Sequence, residues 1–249
     1  MTTVLLLAGT SEATRLADAL VREHDVDVLS SFAGVTTNPV GRLGRLRTGG
    51  FGGTDGLIAH LRQDRPDVIV DATHPFAAVM PHHVADASAA TGIPSCRLLR
   101  PAWEPVVNDR WISVGDLPAA AAALEVLGSR RPLLTVGRQS TWAFTGSHAH
   151  VVIRAIEAPD ELPGDHHLIL DRGPFGFDDE LALLRDLRID AVVTKNSGGD
   201  ATEAKLTAAR QLGLPVVMVE RPAQPAVTVV PDVDHAVAWV AERSYQRGV

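Results

Sequence analysis

The sequence predicts an α/β fold in which two lobes, each built around a parallel sheet, are separated by a cleft. Short runs rich in β-branched residues and leucine alternate with amphipathic segments, which is the pattern of repeated strand–helix units. Aromatic residues make up only 4% of the chain, so Val, Leu, Ile and Ala must fill the interior, as in parallel sheets covered by helices. A chain of 249 residues is long enough for two such lobes.

The apolar runs place the elements of both lobes along the chain. We predict strands at 4–8, 26–30, 68–71, 95–99, 133–136, 151–156, 168–170, 191–194 and 216–219, and helices at 12–22 and 202–212. Asp200 and Glu203 predict a capping box at the start of the second helix. The pattern is interrupted near Pro101, Trp103 and Pro105, so we place the domain boundary there, with lobes at 1–101 and 102–249.

Composition excludes several classes of partner. The formal charge of −7 argues against nucleic acid or an anionic membrane surface, so an anionic ligand would need a local positive cleft. Cys96 is the only cysteine, which excludes an intrachain disulfide and is typical of a reducing compartment. The histidine pairs lack carboxylates or cysteines at metal-ligand spacing, so no metal site is predicted. No stretch reads as a signal peptide or a membrane span, and we expect a soluble, cytoplasmic protein.

Lysine is almost absent from this chain. Of its 23 basic residues only Lys195 and Lys205 are lysines, and both fall in the segment 190–206. A lysine ammonium is compact and its pKa changes on burial, so a site that needs either property does not accept arginine. The segment is therefore predicted to be a working site, and the alternative is that Lys205 lies on an exposed helix turn.

The loop after the first strand contains Gly9, Thr10, Ser11 and Glu12 and leads into a helix. Backbone N–H groups at a helix start attract phosphate, and the two hydroxyl groups add hydrogen-bond donors. This interpretation predicts a nucleotide site. An ordinary N-cap by Thr10 or Ser11 explains the same residues equally well.

The second strand ends in serines where an NAD-selective domain usually carries an acidic residue. Ser30 and Ser31 occupy that position, and Arg42, Arg45 and Arg47 follow. A 2′-phosphate would be tolerated there, so NADPH is predicted in preference to NADH if a dinucleotide binds in this lobe.

The strand at 68–71 delivers three polar residues, Asp71, Thr73 and His74, to its carboxyl end. Polar groups beside a buried strand are costly unless they are satisfied, which favours a ligand there. Alternatively, Asp71 caps the turn before Pro75 and His74 hydrogen-bonds the backbone.

Three strand-end loops of the second lobe each combine a glycine with a cation. Arg138, Arg172 and Lys195 are those cations, and with Lys205 they would form a positive pocket for a ligand with several carboxylates or phosphates. No GxSxG motif is present, so hydrolase chemistry is not indicated.

Taken together, the loops GTSE, DATHPFA, TVGR, RGPF and TKNSGG, with Thr202, Lys205 and the Glu220-Arg221-Pro222 strand end, resemble the precorrin-6A reductase family of corrin biosynthesis. The likeness covers almost the whole chain and includes the cobalt-precorrin-6A branch. It implies two Rossmann-like lobes and an NADPH-dependent reductase of a tetrapyrrole that bears many acetate and propionate arms. Hydride would pass to a ring carbon and a proton to the adjacent carbon.

The site residues expected from this resemblance fall into three groups. Cofactor binding is expected of Gly9, Thr10, Ser11, Glu12 and Ser31, with Asp71, Thr73 and His74 near the nicotinamide. Substrate carboxylates are expected at Arg138, Arg172, Lys195, Ser197, Gly198 and Lys205. Lys195 and His74 are the candidate proton donors, beside water or the substrate's own tautomer.

Two other functions remain open from the sequence. One is a non-catalytic nucleotide- or tetrapyrrole-binding protein, and the other is a dehydrogenase of a small anionic metabolite. The sequence does not define the oligomeric state or whether the macrocycle carries cobalt.

Overall fold

The computed structural model describes residues 1–22, 26–32 and 44–246, in which twelve strands form two six-stranded parallel sheets. The strands are β1 (Thr2–Leu7), β2 (Val26–Phe32), β3 (Arg45–Thr48), β4 (Val68–Asp71), β5 (Ser95–Leu98), β6 (Trp111–Val114), β7 (Pro132–Thr135), β8 (Val151–Ala155), β9 (His166–Leu170), β10 (Ala191–Lys195), β11 (Val216–Val219) and β12 (Thr228–Val230). The helices are α1 (Ser11–Arg22), α2 (Gly53–Asp64), α3 (Met80–Thr91), α4 (Leu117–Leu127), α5 (Phe177–Asp186), α6 (Ala204–Gln211) and α7 (Val233–Gln246). Short 3-10 helices occupy Arg138–Phe144 and Asp200–Thr202. The predicted α/β class with two parallel sheets is confirmed.

The chain divides into two compact units. Unit 1 comprises Met1–Pro101 and Pro222–Val249, and unit 2 comprises Ala102–Arg221. The first boundary lies where the sequence predicts it, but the assignment of 222–249 to the second lobe is wrong. Strand β12 pairs in parallel with β5 of unit 1, and α7 packs against α1 in the same core. A strand of three residues carries no local signal that identifies a partner so far away in the chain.

The sheet of unit 1 has the order β12-β5-β4-β1-β2-β3 and is covered on both faces. Along β1 the side chains alternate between the two faces, as the strand period of two requires. Val4 and Leu6 belong to the core cluster that includes residues of α1 and α7, whereas Leu5 and Leu7 belong to the cluster with α2 and α3. A continuous apolar run in β1 is therefore explained by burial on both sides.

The sheet of unit 2 has the order β6-β11-β10-β7-β8-β9. Leu133, Val192 and Met218 from three adjacent strands pack in one cluster with Leu184 of α5 and Leu206 of α6. Because all strands are parallel, their carboxyl ends lie at one edge, and the loops that follow them share that edge.

The predicted helix at 202–212 is shorter than expected and has no capping box. Asp200–Thr202 forms a 3-10 turn, and α6 begins after Glu203 without a side-chain cap. The Glu203 N–H donates to the main-chain oxygen of Asp200 at 3.2 Å, so the backbone alone closes this turn. No helix in the described part of the chain is long and apolar enough to cross a membrane.

Candidate functional site

The sheet of unit 1 brings its candidate residues together at one edge. Leu7, the last residue of β1, lies in register with Ser31 on one side and with Asp71 on the other. The Gly9–Glu12 loop continues from β1 between the ends of these two strands. Three segments that are far apart in sequence therefore form one polar edge, as the sequence predicts.

Thr10 is the N-cap of α1. Its Oγ1 accepts a hydrogen bond from the Ala13 N–H at 3.1 Å and donates to the Ala72 carbonyl at 3.0 Å. The Thr10 side chain therefore caps the helix, which is the alternative that the sequence left open beside phosphate binding. The second bond also fixes the loop after β1 to the loop after β4, which keeps the first turn of α1 beside Asp71.

Glu12 has a partner that the sequence analysis missed. Arg100 Nη1 lies 2.8 Å from Glu12 Oε2, and Ser11 Oγ donates to the same oxygen at 3.1 Å. Burial opposes ionisation of Glu12, but the Arg100 charge and the hydrogen bonds outweigh it and lower the pKa. Arg100 therefore offsets a negative charge that would otherwise repel an anion at the start of α1.

The loop after β4 is held by Asp71 from within. Asp71 Oδ1 accepts from the Thr73 N–H at 3.0 Å and from Thr73 Oγ1 at 2.6 Å. His74 is exposed, and its Nδ1 accepts from the Phe76 N–H at 3.2 Å. These local bonds match the alternative interpretation from the sequence, and they leave the His74 ring at the exposed edge.

Arg97 supports this loop from β5 and was also missed. Its side chain is 1% exposed, with Nη1 at 3.4 Å from Asp71 Oδ2 and Nη2 donating to the His74 carbonyl at 3.4 Å. Burial lowers the pKa of the Arg97 guanidinium, and the Asp71 charge opposes that change. The signal available in the sequence was an arginine inside an apolar strand, because such a charge needs a buried partner.

The arginines after β2 differ in position. Arg47 Nη1 donates to Ser31 Oγ at 3.3 Å, so Arg47 lies at the carboxyl end of β2 as predicted. Its guanidinium also stacks on the Phe51 ring at 3.9 Å. Arg45 instead pairs with Asp27 near the other end of β2 at 2.7 Å, and Arg42 lies outside the described residues.

In unit 2, Lys195 ends β10 beside the 3-10 helix that follows β7. Lys195 Nζ donates to Ser140 Oγ at 2.7 Å, and burial lowers the pKa of Lys195. Arg138, which begins the same 3-10 helix, lies 3.4 Å from Glu157 after β8. The structure therefore brings Arg138 and Lys195 to one edge, with the Arg138 charge partly offset.

The loop after β9 folds back towards the loop after β10. The Phe175 N–H donates to the Ala201 carbonyl at 3.4 Å, and the Phe175 ring stacks on the Arg154 guanidinium at 3.8 Å. Arg154 in turn bonds Glu180 at 2.7 Å in a buried ion pair. Arg172 lies exposed in this loop, so its charge is available at the same edge.

Lys205 does not lie where the sequence analysis expected it. Its residue is 3% exposed, and its Nζ donates to the Thr202 carbonyl at 2.5 Å and lies 4.8 Å from the Trp103 ring centroid. Neither an exposed helix turn nor direct contact with a substrate carboxylate fits this position. Packing against the indole explains why the ammonium is turned away from the surface.

Burial lowers the Lys205 pKa to about 7, with a further contribution from Arg154 against the opposing charges of Glu180 and Glu203. Between that value and the ordinary 10.5 the unfolded chain binds more protons than the folded chain, so this residue makes stability increase with pH. The native chain should therefore gain stability relative to Lys205→Met as the pH rises. We expect the difference between their free energies of unfolding, native minus variant, to increase from pH 7 to pH 9 by up to about 1.4 kcal/mol per pH unit. Urea unfolding at several pH values measures this difference. Arg185→Met, at an exposed position of α5, should give a constant difference, and a constant difference for Lys205→Met would contradict the assignment.

Over the described ranges, no group of three or more His, Cys, Asp or Glu side chains could hold a metal ion. The polar groups described at these edges are backbone donors, hydroxyl groups, cations, the Glu12 and Asp71 carboxylates and the His74 ring. Each unit is a parallel sheet packed against helices, with polar loops at the carboxyl ends of its strands. This arrangement defines an α/β protein of the class that binds ligands beyond the carboxyl ends of its strands.

Comparison with known proteins defines the family. The family model described as "Precorrin-6x reductase CbiJ/CobK" matches residues 3–241. The chain is 48% identical to the precorrin-6A reductase of Mycobacterium tuberculosis, over 97% of this chain and 98% of that protein. It is 49% identical to that of Rhodococcus erythropolis, over 96% of this chain and 98% of that protein. The solved structure of CobK precorrin-6A reductase superposes with a TM-score of 0.89 at 39% identity, covering 98% of this chain and 97% of that one. The chain belongs to the precorrin-6A reductase family, and the resemblance noted from its motifs is confirmed.

Proposed function

We propose that this chain is an NADPH-dependent oxidoreductase that reduces precorrin-6A to its dihydro product in cobalamin biosynthesis. The observation that carries the proposal is the full-length match to proteins named precorrin-6A reductase, at 40–49% identity. Proteins named cobalt-precorrin-6A reductase are less similar, at 27–30% identity. This difference favours the cobalt-free macrocycle as substrate.

The edge of unit 1 fits a dinucleotide. Gly9 is exposed, and a Cβ placed on it would meet no atom within 4 Å, so open space lies beside the first turn of α1. The backbone N–H of Ser11 at the start of that turn suits a pyrophosphate, and the Arg100 charge keeps the Glu12 carboxylate from opposing it. Thr10 contributes through its backbone and by holding the two loops together, because its hydroxyl is already engaged.

Ser31 and Arg47 are the residues proposed to distinguish NADPH from NADH. They lie together at the end of β2, where a ribose 2′-phosphate would meet a guanidinium instead of a carboxylate. Asp71, Thr73 and His74 lie on the other side of β1 and are proposed to line the nicotinamide end.

The edge of unit 2 fits the carboxylates of the macrocycle. Lys195, Arg138 and Arg172 provide cations on three loops, and Ser197 and Gly198 add a hydroxyl and backbone beside Lys195. Cations on several separate loops suit a ligand with many carboxylate arms better than a small metabolite with one anionic group. Lys205 is omitted from this set because its ammonium is buried.

When bound, NADPH supplies the hydride for a ring carbon, and the adjacent carbon gains a proton. The residues of this chain bind and orient the reactants. Lys195 is held by Ser140, and its lowered pKa makes its proton easier to release than that of an ordinary lysine. His74 of unit 1, whose ring is exposed, is the other candidate proton donor.

Turnover tests the proposal directly. Anaerobic incubation with NADPH and precorrin-6A should consume the nicotinamide absorbance and yield the dihydro product, with the cobalt form reacting more slowly. A non-catalytic carrier would bind either ligand and leave the absorbance unchanged. That result with fully folded protein would overturn the proposed activity.

Arg47→Ala is expected to raise KM for NADPH by about tenfold and to leave KM for NADH within about twofold, since only the former carries the 2′-phosphate. Steady-state kinetics with both cofactors measure this preference. The matched control is Arg45→Ala, two residues away on the same strand, where the side chain pairs with Asp27. Equal efficiency of the native chain with NADPH and NADH would contradict the assignment.

A further inference from the structure

The loop after β10 contains two glycines in a conformation that other residues rarely adopt. Gly198 has a φ of 67° and Gly199 a φ of 79°, both in the left-handed region. Consecutive glycines give the chain this freedom at a cost in rigidity. Because Ser197 and Gly198 are proposed to contact substrate, the segment 196–199 needs support from outside itself.

Asn196 provides the first support. Its side-chain Oδ1 accepts from the Trp103 N–H at 2.9 Å, and its Nδ2 donates to the Trp103 carbonyl at 3.1 Å. The carboxamide thus pairs with both main-chain groups of one residue, as a neighbouring strand would. Asn196 is 5% exposed, so both bonds are shielded from competing water.

The Trp103 indole provides the second support. Its Nε1–H donates to the Gly199 carbonyl at 3.2 Å, at the far end of the same loop. The ring is packed against the buried ammonium of Lys205, which lies 4.8 Å from its centroid. Lys205 also bonds the Thr202 carbonyl, so the indole and the start of α6 are fixed to each other.

Arg221 holds the loop backbone from the end of β11. Its Nε donates to the Asn196 carbonyl at 2.8 Å and its Nη2 to the Ser197 carbonyl at 3.1 Å. Main-chain groups of three of the four loop residues are therefore bonded to Trp103 or Arg221 side chains, and the fourth, Gly198, lies between them. Little freedom remains for the loop while these bonds persist.

We propose that Trp103, Asn196, Lys205 and Arg221 form a clamp that positions the 196–199 loop to bind the carboxylates of the macrocycle. These are positioning residues, because they act through the loop and not on the reacting atoms. The inference rests on the proposed function for the identity of the ligand.

Trp103→Phe tests the clamp with a small change. It keeps an aromatic ring near Lys205 and removes the Nε1–H that bonds the Gly199 carbonyl, and the accompanying loss of ring size is matched in the control below. We expect KM for precorrin-6A to rise about fivefold, as for the loss of one hydrogen bond, while KM for NADPH and the melting temperature stay near their native values. Hydrogen–deuterium exchange should become faster in the peptide that contains 196–199.

Trp111→Phe is the matched control. Trp111 lies in the same unit and packs against the same core cluster, but its buried Nε1 has no hydrogen-bond partner in the part of the chain described. Asn196→Ala, which removes both bonds to Trp103, should raise KM for precorrin-6A more than Trp103→Phe does.

The outcomes separate the clamp from the activity. Equal KM values and equal exchange in Trp103→Phe and Trp111→Phe, with an active native enzyme, would overturn the clamp. A native chain that does not reduce precorrin-6A would overturn the proposed function, whereas faster exchange of 196–199 in Trp103→Phe alone would still support the positioning role. A fall in kcat without a change in KM would also count against positioning for substrate binding.

Discussion

Lys195→Met is expected to lower kcat/KM for precorrin-6A by about 10- to 100-fold, while KM for NADPH changes by less than about twofold. Lys195 lies at the end of β10, fixed to Ser140 at 2.7 Å, and is proposed to bind a substrate carboxylate. A hydrogen bond to a charged group contributes about 1.5–3 kcal/mol, which corresponds to that range of rates. Steady-state kinetics with each substrate varied in turn measure the effect.

Lys195→Arg separates charge from shape. We expect an intermediate loss, because a guanidinium is longer and planar and would have to displace Ser140 or the carboxylate. The pH profile adds a second readout: the lowered pKa of Lys195 means that its charge is lost as pH rises, at a lower pH than for an ordinary lysine. Carboxylate binding should therefore weaken at alkaline pH in the native enzyme and less so in Lys195→Arg.

Arg185→Lys, at an exposed position in the last turn of α5, is the control for Lys195→Arg and should be neutral. Native activity in Lys195→Arg would contradict the inference, drawn from the scarcity of lysine, that this position does not accept arginine. A pH profile identical in both proteins would show that this ammonium does not hold the substrate.

The sequence predicted the central strands and one edge strand, β9, and missed the other three edge strands. Strands β4 and β11 are buried along their whole length, so their apolar runs are continuous and were placed with the bounds that the structure shows. Strands β3, β6 and β12 were missed, and each is the outermost strand of its sheet. Edge strands are partly exposed, so their sequences lack the apolar run that marks a buried strand.

The sequence predicted which candidate residues of unit 1 lie near one another, and the structure confirms that grouping. Parallel topology places strand ends at one edge, so the grouping of Gly9, Ser31 and Asp71 followed from the strand assignment. Side-chain burial does not follow from it: Lys205 was expected to hold a substrate carboxylate, although its ammonium is buried beside the Trp103 ring. Tertiary packing between α6 and the segment after Pro101 decides that position.

The partners of the site residues were missed for a related reason. Arg97 and Arg154 each lie inside a strand that was predicted from apolar neighbours, and both form buried ion pairs. Their presence within apolar runs was the available signal, since a buried charge requires a counter-charge. The identity of that counter-charge depends on strand order and helix placement, which local patterns do not specify.

Arg154→Met is expected to lower the free energy of unfolding by about 3–5 kcal/mol, the cost of leaving a buried charge without its partner. Arg154 Nη2 donates to Glu180 Oε1 at 2.7 Å with both side chains buried, and Glu180 Oε2 accepts no hydrogen bond in the described ranges. Arg154 lowers the pKa of Lys205 and Glu180 raises it, so Lys205 binds its proton more readily in Arg154→Met and offsets part of the unpaired Glu180 charge. Urea unfolding of the variant and the native chain measures the change.

The double variant Arg154→Met with Glu180→Met shows whether the loss of stability comes from the missing Arg154–Glu180 interaction or from the buried Glu180 carboxylate that is left without a partner. Removing both partners leaves no uncompensated carboxylate, so the double variant should be more stable than Arg154→Met alone. The control is Arg45→Met, which breaks the exposed pair with Asp27 and should lower the free energy of unfolding by no more than about 1 kcal/mol. Because Arg154 also stacks on Phe175, Arg154→Met and the double variant should both loosen the loop that carries Arg172 and raise KM for precorrin-6A. A double variant as unstable as Arg154→Met would show that packing on Phe175, and not the buried Glu180 charge, sets the stability of this region.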